Sequence, residues 1–178
     1  MNTSPLHIDN INFAKKAEHV SGQINIANCP RLAEILQSQK PTRATSKPHD
    51  SIPSAINFEL RGEVDTQGRC FIHMAVEANL QSYCQRCLEP LLLPLKLNFS
   101  YLIAEADEQA SGELSFDDVD EYDLQEPDKA MDLQALIEDE LIMALPIAPT
   151  HDDDCVNLIS QSGEKPNPFA VLKDLIKS

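Results

Sequence analysis

From Cys70 to Leu80 the chain is apolar at every second position. Cys70, Ile72, Met74, Val76, Ala78 and Leu80 fall on one side, and Arg69, Phe71, His73, Ala75, Glu77 and Asn79 fall on the other. Successive side chains of a strand point to opposite faces, so period two over this length predicts a half-buried strand. Ile56, Phe58 and Leu60 alternate in the same way with Asn57, Glu59 and Arg61. Asp65-Thr66-Gln67-Gly68 between the two runs carries turn chemistry, so the pair reads as a hairpin. A third strand is expected over residues 91–103, where every odd position is apolar. Pro94 lies within it and has no N–H to donate, which suits an edge or a bulge.

Helical signals flank this core. Pro30 followed by Leu32, Ile35 and Leu36 predicts a short helix with proline in its first turn. Phe13, Ala14 and Val20 read as the start of a core edge. Asp132 reads as an N-cap, followed by an apolar stripe of Leu133, Leu136, Ile137, Leu141, Ala144 and Leu145, with Pro146 ending the helix. A last small helix is expected after Asn167 and Pro168, with Phe169, Leu172, Leu175 and Ile176 on one side. Together these predict an α+β fold. Its sheet is small and antiparallel, with room for a barrel-like curl, and carries the packed amphipathic helix and short terminal helices. The 178 residues suit a single domain spanning 1–178, since domains run to about 150 residues. Residues 37–54 are rich in proline and polar residues and predict a flexible loop. Residues 105–128 are acidic, without Lys or Arg, and predict a mobile insertion.

Charge is unevenly placed. Residues 1–100 hold 10 Lys/Arg against 9 Asp/Glu, whereas residues 101–178 hold 4 against 20, a balance of −16. Affinity for nucleic acid rests on cations displacing counterions from phosphates, so extensive nucleic-acid binding by the second half is disfavoured. A basic protein partner fits it better. Aromatic content is 5% and tryptophan is absent, which leaves few platforms for stacking bases. The first residues lack a basic start and an apolar core, and no apolar run approaches a membrane span. A cytoplasmic protein without a membrane role is expected. There, five cysteines serve as thiols or metal ligands more readily than as a disulfide framework.

Two of them stand in Cys84-Gln85-Arg86-Cys87, in the connection between the second and third strands. A C-x2-C turn can aim two thiolates at one ion, and His151 with Cys155 could complete a Cys3His tetrahedron for structural zinc. A redox pair is the second reading, although C-x-x-C then belongs at a helix N-terminus. Plain thiols are the third. Cys70 reads as core and Cys29 as a loop thiol. Glu138, Asp139 and Glu140 are consecutive on the helix, and neighbouring positions diverge by about 100°. They read as a solvated acidic face that could bind a partner. A nuclease reading would place a divalent metal on Glu138 and Glu140. Lys40, Arg43 and Lys47, with Arg69 and Arg86, are the candidate RNA contacts. His73 reads as a surface histidine, and five scattered glycines form no phosphate loop.

CQRCLEP at 84–90, DLQALIEDELIMALPIAPTHDDDC at 132–155 and KPNPFAVL at 165–172 together resemble the YceD family, the large ribosomal RNA subunit accumulation proteins. The likeness spans roughly residues 50–178. It implies a non-enzymatic role in synthesis, processing or stability of large-subunit (23S) ribosomal RNA. No catalytic residue carries over. Cys84, Cys87, Glu138, Asp139, Glu140, Pro146, His151 and Cys155 become candidates for a shared structural or binding site. The charge of the second half makes a basic large-subunit ribosomal protein or an assembly factor the expected partner, with contact to rRNA indirect; direct rRNA binding through the candidate RNA contacts is the alternative.

Overall fold

The computed structural model describes residues 6–40, 55–104 and 122–151. In chain order the elements are β1 (His7–Ile8), α1 (Asn10–Lys15), β2 (His19–Asn25), a 3-10 turn (Ile26–Asn28), α2 (Pro30–Ser38), β3 (Ala55–Val64), β4 (Cys70–Tyr83), β5 (Pro90–Ile103), β6 (Asp123–Gln125), β7 (Met131–Asp132) and α3 (Leu133–Ala144). The main sheet has the order β2-β3-β4-β5-β6, and β1 pairs with β7 in a small second sheet. The α+β class expected from sequence is the one found, dominated by sheet with few helices.

The hairpin forms where the alternation placed it. β3 and β4 pair antiparallel, with Leu60 opposite Met74 and Phe58 opposite Val76. The turn closes through Gly68 N–H donating to Asp65 O at 3.1 Å, and Gly68 has φ of 85°, which a glycine adopts without strain. β5 continues the sheet antiparallel to β4, from Cys70 opposite Ile103 to Tyr83 opposite Pro90, with no break at Pro94. An unbroken ladder through a residue without N–H requires that residue's backbone to face away from β4. Even-numbered residues of β5 therefore turn their backbone outward, as Ala104 N–H does in donating to Gln125 O at 3.0 Å. Among the described residues, β6 covers β5 only at Tyr101–Ile103, so Pro94 lies on the uncovered stretch.

Two expectations about the sheet are corrected. It does not curl into a barrel: among the described strands it is open, ending in β2 and β6. Closure needs two edges long enough to pair, and β6 has three residues. The exposed face of apolar side chains is covered instead by helices. The sheet is also mixed, because β6 runs parallel to β5.

One core fills the space between the sheet and the helices. Ile56, Leu60, Ile72, Met74, Val76 and Leu80 from the sheet are sealed against Leu32 of α2 and Leu133, Ile137 and Leu141 of α3. α3 begins where expected, with Asp132 accepting hydrogen bonds from the N–H groups of Gln134 and Ala135. It ends at Leu145, which turns extended ahead of Pro146. A smaller cluster of Phe71, Leu102 and Ala104 lies on the opposite face of the sheet. α1 crosses β3 closely enough that a Cβ on Gly62 would collide with the carbonyl of Phe13. Asn10, fully buried, ties α1 to the chain at Glu126 and Asp128 through its side-chain amide.

The helix expected at 30–36 runs to Ser38, inside the loop expected at 37–54, and residues 41–54 lie outside the described residues. Of the acidic stretch 105–128, residues 122–128 are described and contain β6, while 105–121 lie outside, as does the tail helix expected after Asn167. Cys29 stands in the connection ahead of α2, as expected, but it is not exposed. It is sealed in the core at the start of α2, and burial, with the Glu138 carboxylate nearby, pushes its thiol up to about 11. Among the described residues, no helix is long and apolar enough to cross a membrane.

Candidate metal centre at the hairpin tip

The connection from β4 to β5 is short and tightly bonded. Cys84 N–H donates to Glu89 O at 2.9 Å, and Leu88 N–H donates to Cys84 O at 2.9 Å. Leu88 takes φ of 61°, the left-handed region that costs a non-glycine residue about 1–2 kcal/mol. That reversal sends the chain back into β5 and leaves both cysteine side chains on the inside of the turn. Arg86 N–H points at Cys84 Sγ, 3.4 Å away. Such a donor stabilises a thiolate, the form that binds metal.

The segment after α3 completes the group. Gln85 N–H donates to Pro149 O at 2.8 Å, which brings the 145–151 strip against the turn. His151 then places Nδ1 3.3 Å from Cys87 Sγ and Nε2 3.1 Å from Pro90 O. A carbonyl oxygen only accepts, so Nε2 carries the proton and Nδ1 presents its lone pair to the thiols. The arrangement resembles the outer-sphere hydrogen bond that orients a metal-ligating imidazole. Cys84 Sγ, Cys87 Sγ and the imidazole all lie within 4.8 Å of one another, with Cys84 buried and the other two half-buried. Zinc bonded to sulfur at about 2.3 Å and to nitrogen at about 2.0 Å would set ligand atoms about 3.5–3.8 Å apart. Two thiols and one imidazole at these spacings could therefore hold a metal ion. Cys155, the fourth ligand expected from sequence, lies outside the described residues.

The acidic triple behaves otherwise. The expectation of a solvated face is overturned for Glu138 and Glu140, which are 5% and 8% exposed. Glu138 accepts from Leu32 N–H at 3.0 Å and from Arg31 Nε and Nη2, both at 3.1 Å. It thereby caps α2, whose own N-cap residue Cys29 offers no side-chain hydrogen bond. Asp139, half-exposed, pairs with the same guanidinium through Nη1. Hydrogen bonds to Asp139 and then Glu138 hold the Arg31 guanidinium above its ordinary value. Glu140 turns the other way and accepts from Tyr101 Oη at 2.8 Å. Burial raises its carboxyl above the ordinary 4.5, and the charges of Asp123 and Asp139 add to that, against the Tyr101 hydrogen bond. Burial and the Glu140 carboxylate push the Tyr101 phenol up in turn. Glu138 and Glu140 thus serve different partners and do not converge on one point.

The candidate RNA contacts are dispersed. Arg69 is engaged by Asp65, at 2.7 Å, and lies over the Phe71 ring. Arg86 is exposed in the cysteine turn, and Lys40 is exposed just beyond α2. Ser82 Oγ donating to Gln39 Oε1 at 2.6 Å brings the end of α2 to the tip that carries Arg86. Arg43 and Lys47 lie outside the described residues. His73, expected at the surface, is half-buried, bonded to Ser100 Oγ and Glu63. The role of Arg31 was missed from sequence, since nothing local marks an arginine whose partners lie more than a hundred residues away.

The fold and its tip define a class: an α+β domain with an open, helix-covered sheet and a Cys2His group where two distant segments meet. The profile of the large ribosomal RNA subunit accumulation protein YceD family matches residues 72–176, and the chain belongs to that family. A protein of Haemophilus influenzae described as "Large ribosomal RNA subunit accumulation protein YceD" is 29% identical over 186 residues, covering 96% of this chain and 95% of that protein. No solved structure matches the chain. The family resemblance read from the CQRCLEP and DEL segments is thereby shown.

Proposed function

We propose that this protein is a non-enzymatic cytoplasmic factor that supports accumulation of large-subunit ribosomal RNA by binding a basic ribosomal protein or assembly factor. The carrying observation is the family match over residues 72–176. The role in rRNA accumulation comes from the family's description, and the mode of action from charge. The second half of the chain carries 4 Lys/Arg against 20 Asp/Glu, which attracts cationic protein surfaces and repels phosphate. The non-enzymatic reading is supported by the carboxylates themselves: Glu138 and Glu140, the pair a nuclease would use, are engaged by Arg31, Leu32 and Tyr101.

The metal is zinc in this reading, held by Cys84, Cys87 and His151 with Cys155 as the fourth ligand. Thiolate and neutral imidazole are the donors that suit it, and four protein ligands make a structural rather than a catalytic site. A second reading, direct contact with rRNA, draws on Lys40 and Arg86 at the same end of the sheet.

The test is the ratio of large to small ribosomal subunits in cells depleted of the protein. Selective loss of large subunits is expected, and an unchanged ratio would remove the reading. A low-salt pull-down then separates the two modes. Enrichment of a basic ribosomal protein after RNA digestion supports protein docking. Capture of rRNA alone, lost on charge reversal of Lys40 and Arg86, supports direct binding.

A further inference from the structure

On the helix-covered face of the sheet, burial falls off sharply at β5. Met74, Val76, Ala78 and Leu80 of β4 are at most 4% exposed. Their partners one strand further out are Phe99, Leu97, Leu95 and Leu93. These four pack against the core from its margin, and each stays only half-buried, as does Leu91 on the same face. The row is sealed where α3 reaches it, at Tyr101, which bonds to Glu140 and is 1% exposed. Strands rise about 3.3 Å per residue, so Leu91 to Phe99 form an apolar shelf roughly 27 Å long. Among the described residues no strand flanks β5 along this shelf, since β6 pairs only with Tyr101–Ile103. Lys96, the one charged residue of β5, lies on the opposite face, paired with Glu77 at 3.0 Å. A contiguous apolar strip of this kind calls for cover.

We infer that the shelf is the docking site for residues 167–176 of the same chain, laid on it as a short helix. The place where the chain leaves the described residues is the first argument. His151 Nε2 donates to the carbonyl of Pro90, the first residue of β5, so the segment that follows starts at one end of the shelf. Length is the second. Even with Cys155 held at the cysteine turn, residues 156–166 extend to about 36 Å, enough to reach any point along the shelf. The third is pattern: Asn167 and Pro168 are start signals, and Phe169, Leu172, Leu175 and Ile176 share one helical side. The other segments outside the described residues fit poorly. Residues 41–54 hold Ile52 as their single large apolar residue, and 105–121 set Leu114, Phe116 and Val119 among eight Asp/Glu that are costly to bury. The family match runs through residue 176, so this segment belongs to the shared domain. A helix suits the site better than an added strand. Even-numbered residues of β5 turn their backbone outward, and Pro94 among them has no N–H to offer a neighbouring strand. The inference does not depend on which partner the protein binds.

The test uses the purified full chain with the photo-reactive residue p-benzoylphenylalanine in place of Leu95 or, as the control, of Asn98, which is exposed on the opposite face of the same strand. Adducts are mapped by peptide mass spectrometry, and those between two chains are set apart by their doubled mass. Adducts within one chain, onto residues 167–176, are expected from position 95 and not from 98. Adding Leu172→Asp is expected to cut their yield about tenfold, the scale of one large apolar side chain kept out of its contact. If the replacement at Leu95 prevents folding, the photo-reactive residue at Leu172 gives the reciprocal reading, with adducts expected on Leu91–Phe99. Equal adducts from Asn98 would overturn the inference, as would adducts that avoid residues 167–176 or join two chains only. An unchanged yield with Leu172→Asp would overturn it as well.

Discussion

Under α3, Glu138 and Glu140 are sealed, and each has its partner within the fold: Arg31 and the Leu32 N–H for one, the Tyr101 hydroxyl for the other. At the tip of the β4–β5 hairpin, Cys84, Cys87 and His151 converge on each other, and Leu88, next to Cys87, is exposed. Both regions join segments far apart in sequence. They differ in what the polar atoms are for. Beneath the helix, polar groups satisfy one another, and no buried side-chain nitrogen or oxygen among the described residues lacks a partner. A buried carboxylate with its donors in place fixes one packing of α3, because any other would leave a charge or an N–H unpaired. At the tip two thiols and an imidazole lie within 4.8 Å of one another, donor types that could hold a metal ion. One region completes the fold; the other brings together a donor set that could hold a metal ion.

The contrast can be broken from its buried side first. Ile137→Ala empties a fully buried position between α3 and the sheet. A loss of about 3–4 kcal/mol in urea unfolding is expected, with metal binding at the tip retained by the folded fraction. Glu138→Ala comes next. It strips the buried Leu32 N–H of its acceptor and Arg31 of one carboxylate, and a loss of about 2–3 kcal/mol is expected by the same measurement. A change near zero would mean that the acidic triple acts at the surface after all.

Glu140→Gln sharpens the comparison with a smaller and opposite effect. The side-chain amide still accepts from Tyr101 but carries no charge to desolvate. The Glu140 carboxyl is raised in the fold above its ordinary 4.5, so the folded protein takes up this proton at a higher pH than the unfolded chain does. Its protonation stabilises the fold in full below 4.5, and that stabilisation is lost as pH rises through the raised value. Glu140→Gln is therefore expected to melt above wild type at about pH 8, with the gap closing as pH falls toward 4.5. Thermal melts of the two proteins at matched pH check it. A gap that widens on acidification would contradict the sign.

What could be read in the sequence follows the range of the interactions. β3, β4 and α3 declare themselves through periods of two and 3.6, and Asp132, Gly68 and Pro146 mark their ends locally. β6 is three residues in an acidic stretch, held by parallel pairing to Tyr101–Ile103, and nothing nearby signals it. Burial of Glu138 and Glu140 was hidden for the same reason. Three adjacent carboxylates look solvated until Arg31, 107 residues earlier, and Tyr101, 39 earlier, are brought to them. Burial of Cys29 was hidden too, since Glu138 of α3 is among the groups near it. The thiol–imidazole group was legible across its long gap because its donor types and the two-residue spacing of Cys84 and Cys87 already belong to one kind of chemistry.

Metal content of the purified full-length protein tests the central distinction between the two regions most directly. One zinc per chain by elemental analysis is expected for wild type, falling to near none in Cys87→Ser while the sheet and helices keep their far-ultraviolet signature. A wild-type protein that binds no metal when supplied with zinc, with its thiols reduced and its fold intact, would contradict the account.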